Sequence, residues 1–106
     1  MTLLSDQLRA TLPGIYETEE QGGAAVCRGR FYLPGTYWEW YVIEFAREDG
    51  DTFFGLACGH DVELGYISLE ELESVGAILW DEAWEPRPLA QVRQEVDDRR
   101  ARAIDI

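Results

Sequence analysis

Leucines recur every four residues near the start of the chain. The positions are Leu4, Leu8 and Leu12. Because an α-helix turns once every ~3.6 residues, this spacing places their side chains on one face of an amphipathic helix. Thr2 or Ser5 is suited to cap its first turn, and Pro13-Gly14 to end it. The pattern predicts a short N-terminal helix whose leucine face covers the core.

The middle of the chain alternates short apolar runs with turn residues, a pattern typical of β-strands. The predicted strands cover 24–33, 37–45, 52–58 and 64–67. The run 37–45 is the strongest, because β-branched and aromatic residues fill nearly every position. Strict alternation along it places Glu39 on one face of the sheet and Glu44 on the other. Since both faces are mostly apolar, we expect a central strand with other elements packed over each side.

Two further helices are indicated in the second half of the chain. Ser68 and Glu71 match a capping box, in which each side chain satisfies a free backbone donor near the other, so we expect a helix after Ser68 that ends at Gly76. Pro86 and Pro88 argue against regular strand pairing, and Pro88 suits a first helical position. In the helix that follows, the apolar stripe is Leu89, Val92 and Val96, and the predicted i,i+4 ion pairs are Glu95–Arg99 and Asp98–Arg102.

These elements predict an α+β fold. We expect a single domain over residues 1–106, with an antiparallel sheet of about four to five strands, a short N-terminal helix, a helix after Ser68 and a C-terminal helix within 89–106. The chain is 46% hydrophobic, which is enough to form a core without a cofactor, and none is predicted.

The charge of the chain indicates which kinds of partner it can bind. It has 21 acidic residues against nine basic ones, all arginine, and a formal net charge of −12. Nucleic acids and anionic membranes are bound largely through cations, so both are excluded as direct ligands and a basic protein surface is expected instead. Residues 89–106 hold as many acids as arginines, which leaves the whole net charge in residues 1–88.

The acidic residues fall mainly in three segments: a loop, a hairpin turn and the start of the second helix. The candidate partner-binding residues are Glu17, Glu19, Glu20, Glu48, Asp49, Asp51, Glu70, Glu71 and Glu73. If the fold brings these segments to one face, they form a surface complementary to a basic partner. The alternative is that they serve only solubility and helix capping.

A second candidate site is aromatic. Trp38, Trp40 and Trp84 could line a pocket for a small ligand or peptide, with Glu39 as the polar anchor. The competing interpretation places most of these rings in the core and pairs Glu39 with an arginine of the preceding strand. That partner would be Arg28 or Arg30.

Catalytic and metal chemistry have little support. His60 lies two positions after Cys58, and Cys27 is the only other cysteine, but no C-x-x-C or H-x-x-x-H spacing accompanies them. We therefore predict no catalytic residue and no metal ligand, and expect reduced, buried thiols, with a single bridge as the alternative. The chain has no apolar run of membrane-spanning length and no basic segment typical of a signal peptide, so a cytoplasmic protein is expected.

Three segments resemble a known family. They are WEWYVIEF (38–45), ELGYISLEELE (63–73) and WEPRPL (84–89). In this order, and with the opening leucines and the FFGL strand, they resemble the bacterial family called domain of unknown function 2958 over about residues 3–90. The resemblance implies a small, single-domain protein, often carried on plasmids and integrative elements, with no activity assigned to particular residues.

The resemblance also suggests a setting. Mobile elements carry small acidic proteins that block host defence or DNA-handling complexes by presenting carboxylates where phosphates would bind. We therefore expect a non-enzymatic interaction protein, an inhibitor of a nucleic-acid-binding or defence complex acting by negative-charge mimicry. The alternative is the ligand- or peptide-binding module with the tryptophan-lined pocket.

Overall fold

The computed structural model describes residues 3–104 as a five-stranded antiparallel sheet with helices on both faces. The elements are α1 (Asp6–Thr11), a 3-10 segment (Glu19–Ala24), β1 (Val26–Cys27), β2 (Gly29–Tyr32), β3 (Glu39–Phe45), β4 (Thr52–Cys58), β5 (Val62–Ser68), α2 (Leu69–Val75), β6 (Leu79–Trp80), β7 (Arg87–Pro88) and α3 (Leu89–Ile104). The main sheet has the order β5-β4-β3-β2-β6, and β1 pairs with β7 in a separate ladder. The predicted α+β class and the central position of the 37–45 strand are confirmed.

Each face of the sheet has its own apolar cluster. On the α1–α2 face the buried side chains include Leu8, Phe31, Val42, Phe53 and Leu72. On the α3 face they include Cys27, Tyr41, Ile43, Leu56, Leu89, Val92 and Val96. The leucine stripe of the first helix and the apolar stripe of α3 therefore cover opposite sides of one sheet.

The N-terminal helix follows its sequence pattern closely. Ser5 caps α1, because its Oγ accepts a hydrogen bond of 3.1 Å from the Leu8 N–H. Leu4, Leu8 and Leu12 are all buried. The alternative cap, Thr2, lies outside the described residues, as do the last two residues of the predicted C-terminal helix, 105 and 106.

A β-bulge interrupts the alternation of β3. Val42 pairs with Gly55 and Glu44 pairs with Phe54, so Ile43 is an extra residue without a partner across the ladder. A bulge shifts every later side chain to the opposite face of the strand. Ile43 and Glu44 consequently both lie on the α3 face.

The bulge overturns one prediction. Strict alternation had placed Glu39 and Glu44 on opposite faces, but Glu39 contacts Arg99 of α3 and Glu44 lines a cavity together with residues of α3. The two glutamates therefore share one face. Strict alternation assumes an unbroken period of two residues. A single inserted residue reverses the face to which every later residue is assigned.

The prediction that the prolines prevent strand pairing was also wrong. Arg87 pairs with Cys27 and Pro88 with Val26 in the short β1–β7 ladder. Among the described residues, β7 is paired on one side only, and an edge position tolerates a residue that lacks an N–H donor. α3 begins directly afterwards, where the Leu89 N–H donates to the Ala25 carbonyl oxygen at 2.8 Å.

The charges of α3 pair with other elements instead of along the helix. Glu95 forms an ion pair with Arg87 at 2.9 Å, and Arg99 forms one with Glu39 at 2.9 Å. Asp98 accepts a hydrogen bond from Gln94. Neither predicted i,i+4 ion pair, Glu95–Arg99 or Asp98–Arg102, forms within residues 3–104. Glu95 and Arg99 do not pair with each other because more buried partners lie within their reach.

None of the helices in the described range combines the length and hydropathy needed to cross a bilayer.

Candidate functional site

The acidic hairpin between β3 and β4 contacts the start of α2. Asp51 Oδ1 accepts a hydrogen bond of 2.7 Å from the Glu70 N–H, and Asp51 Oδ2 accepts one of 2.9 Å from Ser68 Oγ. Ser68 Oγ in turn accepts from the Glu71 N–H at 3.2 Å, which is half of the predicted capping box. The carboxylate that binds the Ser68 hydroxyl is thus that of Asp51, in the β3–β4 hairpin. Two of the three acidic segments meet here.

The third acidic segment runs along the same end of the sheet. The Phe45 N–H, at the end of β3, donates to the Pro13 carbonyl oxygen at 2.8 Å. The Thr18 N–H donates to Glu44 Oε2 at 2.8 Å. These bonds hold the loop that carries Glu17 beside the strand end from which the hairpin leaves.

We call this region the acidic end; its residues are Glu17, Glu19, Glu20, Glu48, Asp49, Asp51, Glu70, Glu71 and Glu73. Four of them accept hydrogen bonds within the chain through their carboxylates: Glu17 from the Gly14 N–H, Glu73 from the Leu3 N–H, Asp51 as described above, and Asp49. The donors to Asp49 are the N–H groups of Asp51 and Thr52 and the Thr52 hydroxyl. The two N–H groups are the main cause that lowers the pKa of Asp49. The other five are exposed, and none of them has a side-chain hydrogen bond or ion pair within residues 3–104.

The arginines are distributed differently from the acids. Arg9 and Arg47 lie near the acidic end: Arg9 is over the Phe45 ring, and Arg47 donates to the Leu12 carbonyl oxygen. The other seven are Arg28, Arg30, Arg87, Arg93, Arg99, Arg100 and Arg102, which belong to β2, β7, α3 and the β1–β2 connection. Nine carboxylates and two arginines thus belong to the acidic end, against twelve carboxylates and seven arginines in the rest of the chain, so the excess of carboxylates is greater at the acidic end.

Glu39 lies at the centre of a buried polar network between β3 and α3. Its Oε1 accepts hydrogen bonds from Arg30 Nε at 2.8 Å and from the Tyr41 hydroxyl at 2.7 Å. Its Oε2 lies 2.9 Å from Arg99 Nη2. Arg30 also binds Asp81 at 2.8 Å. The interpretation that pairs this glutamate with Arg30 agrees with the geometry, and the network joins α3 to the sheet.

The network sets the protonation of its members. Burial alone would raise the pKa of Glu39, but hydrogen bonds from Tyr41, Arg30 and Arg99 outweigh it and hold the pKa below its usual value. Burial, together with the hydrogen bond to Glu39, raises the pKa of Tyr41 to about 12. Glu39 is therefore a carboxylate at neutral pH, bound by two guanidinium groups, and is not poised for general acid catalysis.

The candidate tryptophans do not share one pocket. Trp38 and Glu39 line a cavity of about 120 Å³ next to α3, and Trp84 lines another of about 190 Å³. Trp40 packs against the cluster on the opposite face of the sheet. Trp84 packs on Tyr41, with ring centroids 5.4 Å apart. These rings mainly fill the edges of the two cores.

A larger cavity, of about 500 Å³, lies on the α3 face between the sheet, the 16–23 segment and the start of α3. Its walls are mostly apolar: Tyr16, Ala25, Ile43, Phe54, Leu64, Tyr66 and Leu89, with Thr18, Glu19, Gly22, Gly23, Glu44, Ala90 and Arg93 completing the lining. Its volume is within the range of small-ligand sites, roughly 300–1,000 Å³. Three exposed aromatic or aliphatic side chains surround it: Tyr16 (65% exposed), Tyr66 (60%) and Leu64 (40%).

Glu44 holds one wall of this cavity in place. Its carboxylate accepts hydrogen bonds from the Tyr16 N–H at 3.0 Å and from the N–H and hydroxyl of Thr18 at 2.8 and 2.6 Å. Tyr16 has a φ of +72°, in the left-handed region that non-glycine residues rarely adopt. Its hydroxyl lies 3.1 Å from that of Tyr66, and this hydrogen bond raises the pKa of Tyr66. The buried carboxylate thus stabilises a strained loop across the cavity.

The residues considered as metal ligands are Cys27, Cys58 and His60. Cys27 and Cys58 are both free thiols and buried, and burial raises the pKa of each to about 12. His60 is exposed and lies against the ring edge of Trp38, with Nδ1 3.4 Å from the Tyr37 hydroxyl. Within residues 3–104, no three side chains of the metal-binding types lie close enough together to hold an ion.

Of the residues that line the cavity, Glu19 alone was among the sequence candidates, and it was proposed for partner binding. Leu64 and Tyr66 alternate along a predicted strand, which indicates a shared face but not whether that face is covered. Glu44 was assigned to the wrong face because the bulge is not visible in the sequence pattern. Tyr16 has no local signature that would predict its positive φ.

Residues 3–80 match the family described as Protein of unknown function (DUF2958). This segment ends with β6, so β7 and α3 lie beyond it, as does the 84–89 segment of the resemblance. No curated protein and no solved structure matches the sequence. The match covers well over half of the 106 residues. The chain therefore belongs to the DUF2958 family, whose function is unknown.

Proposed function

We propose that this protein is a non-enzymatic interaction protein whose acidic end docks on the basic surface of a partner protein. The partner we favour is a bacterial nucleic-acid-binding or defence complex in the cytoplasm, blocked by carboxylates that occupy the places of phosphates. The setting on a mobile element rests on the family resemblance alone.

One observation carries the proposal: the acidic segments converge on one end of the sheet. Asp51 contacts Ser68 and the Glu70 N–H, and the loop from Pro13 to Thr18 is bonded to the end of β3. Exposed carboxylates concentrated on one surface increase the rate of association with a basic partner. The net charge of −12 adds a long-range attraction to the same basic partner.

The test is an affinity capture from bacterial lysate, washed at increasing salt, with three versions of the chain. The variant Glu20→Lys/Glu48→Lys/Glu71→Lys reverses one acid in each acidic segment and spares Asp49 and Asp51, whose hydrogen bonds close the hairpin and contact α2. The control Asp61→Lys/Glu85→Lys/Asp97→Lys makes the same charge change at exposed acids elsewhere.

We expect wild type and control to retain a basic nucleic-acid-handling protein that moderate salt releases, because screening weakens exposed charge pairs. The acidic-end variant should lose it at low salt. Equal retention by both variants would exclude this face, and recovery of no basic protein by the wild type would reject the proposal.

The second candidate function is a small-ligand module. The observation that favours it is the apolar cavity of about 500 Å³, since the tryptophans do not form a common pocket. A fragment screen by methyl NMR would test it. Bound fragments should shift the methyl signals of Ile43 and Leu89 in the cavity wall and leave Ile78, in the opposite cluster, unchanged.

A further inference from the structure

The main sheet ends in a long unpaired strand edge. β5 pairs with β4 along its whole length, Val62 opposite Cys58 to Ser68 opposite Thr52, and no strand within residues 3–104 pairs with its other side. The edge at the opposite side of the sheet is the two-residue strand β6. Seven residues of unpaired strand provide a template for another extended chain.

The hydrogen bonds at the two ends of the β4–β5 ladder show which backbone groups are free. The Gly59 N–H donates to the Asp61 carbonyl oxygen at 3.0 Å, and the Leu69 N–H donates to that of Asp51 at 2.9 Å. In an antiparallel ladder, hydrogen-bonded and non-hydrogen-bonded pairs alternate, and this one has no register shift. The odd-numbered residues of β5 therefore bond to β4. The N–H and carbonyl groups of Val62, Leu64 and Tyr66 point away from the sheet.

The same strand borders the apolar cavity. Leu64 and Tyr66 direct their side chains to the cavity on the α3 face, and both are well exposed, at 40% and 60%. A strand added beside β5 would place alternate side chains on that face, next to these two. The edge thus offers main-chain partners and a side-chain pocket in adjacent positions, which are the two elements of recognition by strand addition.

We propose that β5 binds an extended segment of a partner protein by β-strand addition, with a large apolar side chain of that segment in the cavity and basic residues beyond the Ser68 end. This goes beyond the charge-based function proposed above, because it rests on unpaired backbone groups and an apolar cavity. The β5 edge is a different surface from the exposed carboxylates of the hairpin, and it adjoins the acidic end only beyond Ser68.

Charge selects the occupant. A second copy of the chain would bring another net charge of −12 to the edge, which opposes self-pairing. The Ser68 end of β5 adjoins the acidic end, because Ser68 Oγ binds Asp51 at 2.9 Å. A segment that follows the free side of β5 past Ser68 therefore approaches the start of α2, where Glu70 and Glu71 are exposed. Lysine or arginine at that end of the segment complements these carboxylates.

The test starts with selection of random 12-residue peptides displayed on phage against the full chain. We expect enriched peptides to combine large apolar residues at alternate positions with lysine or arginine. We expect the amides of Val62, Leu64 and Tyr66 to exchange quickly in the free protein, and bound peptide should slow their exchange. The amides of Glu63, Gly65 and Ile67 should be protected in both states.

Variants separate the edge from the acidic end. Leu64→Pro removes one outward N–H and keeps the bonds to β4, and Leu64→Glu makes the cavity mouth polar; each should weaken peptide binding at least tenfold. Leu79→Glu is the matched control, since Leu79 is an exposed leucine on the opposite edge strand and should leave affinity within twofold. The acidic-end variant should weaken binding only at low salt and keep the amide protection, so that either proposal can fail alone.

Any of four results would overturn the inference: no enriched peptide, enriched peptides without basic residues, undiminished binding to Leu64→Pro and Leu64→Glu, or protection at amides outside β5. Dimerisation of the free chain through β5, detected by sedimentation and abolished by Leu64→Pro, would assign the edge to a second copy and overturn it as well.

Discussion

Glu39 and Glu44 are both nearly inaccessible, at 4% and 3% exposure, and lie on the same face of β3. Burying a carboxylate is costly unless its oxygens are bonded, and the two residues meet this requirement differently. Glu39 binds two guanidinium groups and a tyrosine hydroxyl, whereas Glu44 binds two backbone N–H groups and a threonine hydroxyl. The first joins α3 to the sheet, and the second fixes the loop over the cavity.

Removing the Glu44 carboxylate leaves the donors of Tyr16 and Thr18 without acceptors. We expect Glu44→Ala to lower the free energy of unfolding by about 2–4 kcal/mol, because each unsatisfied buried group costs roughly 1–3 kcal/mol. Urea denaturation measures this. Glu63→Ala, at an exposed glutamate of β5, is the control and should change it by less than about 0.5 kcal/mol. Equal effects of the two substitutions would show that Glu44 does not anchor the loop.

The lowered pKa of Glu39 makes its contribution depend on pH. A carboxylate whose pKa is lower in the folded than in the unfolded state stabilises the fold above the unfolded value, about 4.3, and loses this contribution as pH falls through the folded value. We expect wild type to exceed Glu39→Gln in stability at pH 7, with the difference shrinking below about pH 4. Denaturation at several pH values measures it. A difference that is constant between pH 7 and pH 3 would contradict this assignment.

At the scale of elements, the backbone of β3 just before the bulge lies against a glycine of the neighbouring strand. A Cβ atom at Gly55 would overlap the Tyr41 carbonyl oxygen, whereas one at Gly65, its partner across the β4–β5 ladder, would meet nothing within 4 Å. We expect Gly55→Ala to lower the free energy of unfolding by more than about 2 kcal/mol, because backbone must shift. Gly65→Ala should be neutral or stabilise by up to about 1 kcal/mol.

The two alanine variants make a matched pair for thermal denaturation. A large loss of melting temperature in Gly55→Ala alone supports the close approach of Gly55 to the Tyr41 carbonyl oxygen, and equal losses in both variants would contradict it.

The long elements could be predicted from the sequence, and the short ones could not. The run 37–45 and the stripes of α1 and α3 carry enough periodic positions to define their structure. β6 and β7 are two residues each, and they are strands only because β2 and β1 lie beside them. The ion pairs of α3 were missed because their partners lie outside the helix: Arg99 pairs with Glu39, which is distant in sequence, and Glu95 pairs with Arg87 of β7.

At the scale of the whole molecule, the sequence places the net charge of −12 in residues 1–88 but does not show where it lies in space. The hairpin lies beside the start of α2 because β4 pairs with β5. Both strands could be predicted from the sequence, and their pairing follows from them. The tryptophans could not be assigned in the same way, because their positions depend on which helix covers which face. The cavity and the free edge could not be predicted either, because they depend on which elements lie beside β5 and over the α3 face of the sheet.

The central claim is that the acidic end guides this protein to a basic partner, and the association rate constant as a function of salt tests it most directly. For the partner recovered by capture, we expect the wild type and Asp61→Lys/Glu85→Lys/Asp97→Lys to associate quickly at low salt and to slow steeply as salt rises. The variant Glu20→Lys/Glu48→Lys/Glu71→Lys has the same net charge as that control, and it should associate slowly with a much flatter salt dependence. Identical salt dependence for the two triple variants would show that overall charge, and not the acidic end, governs association, and would contradict the account.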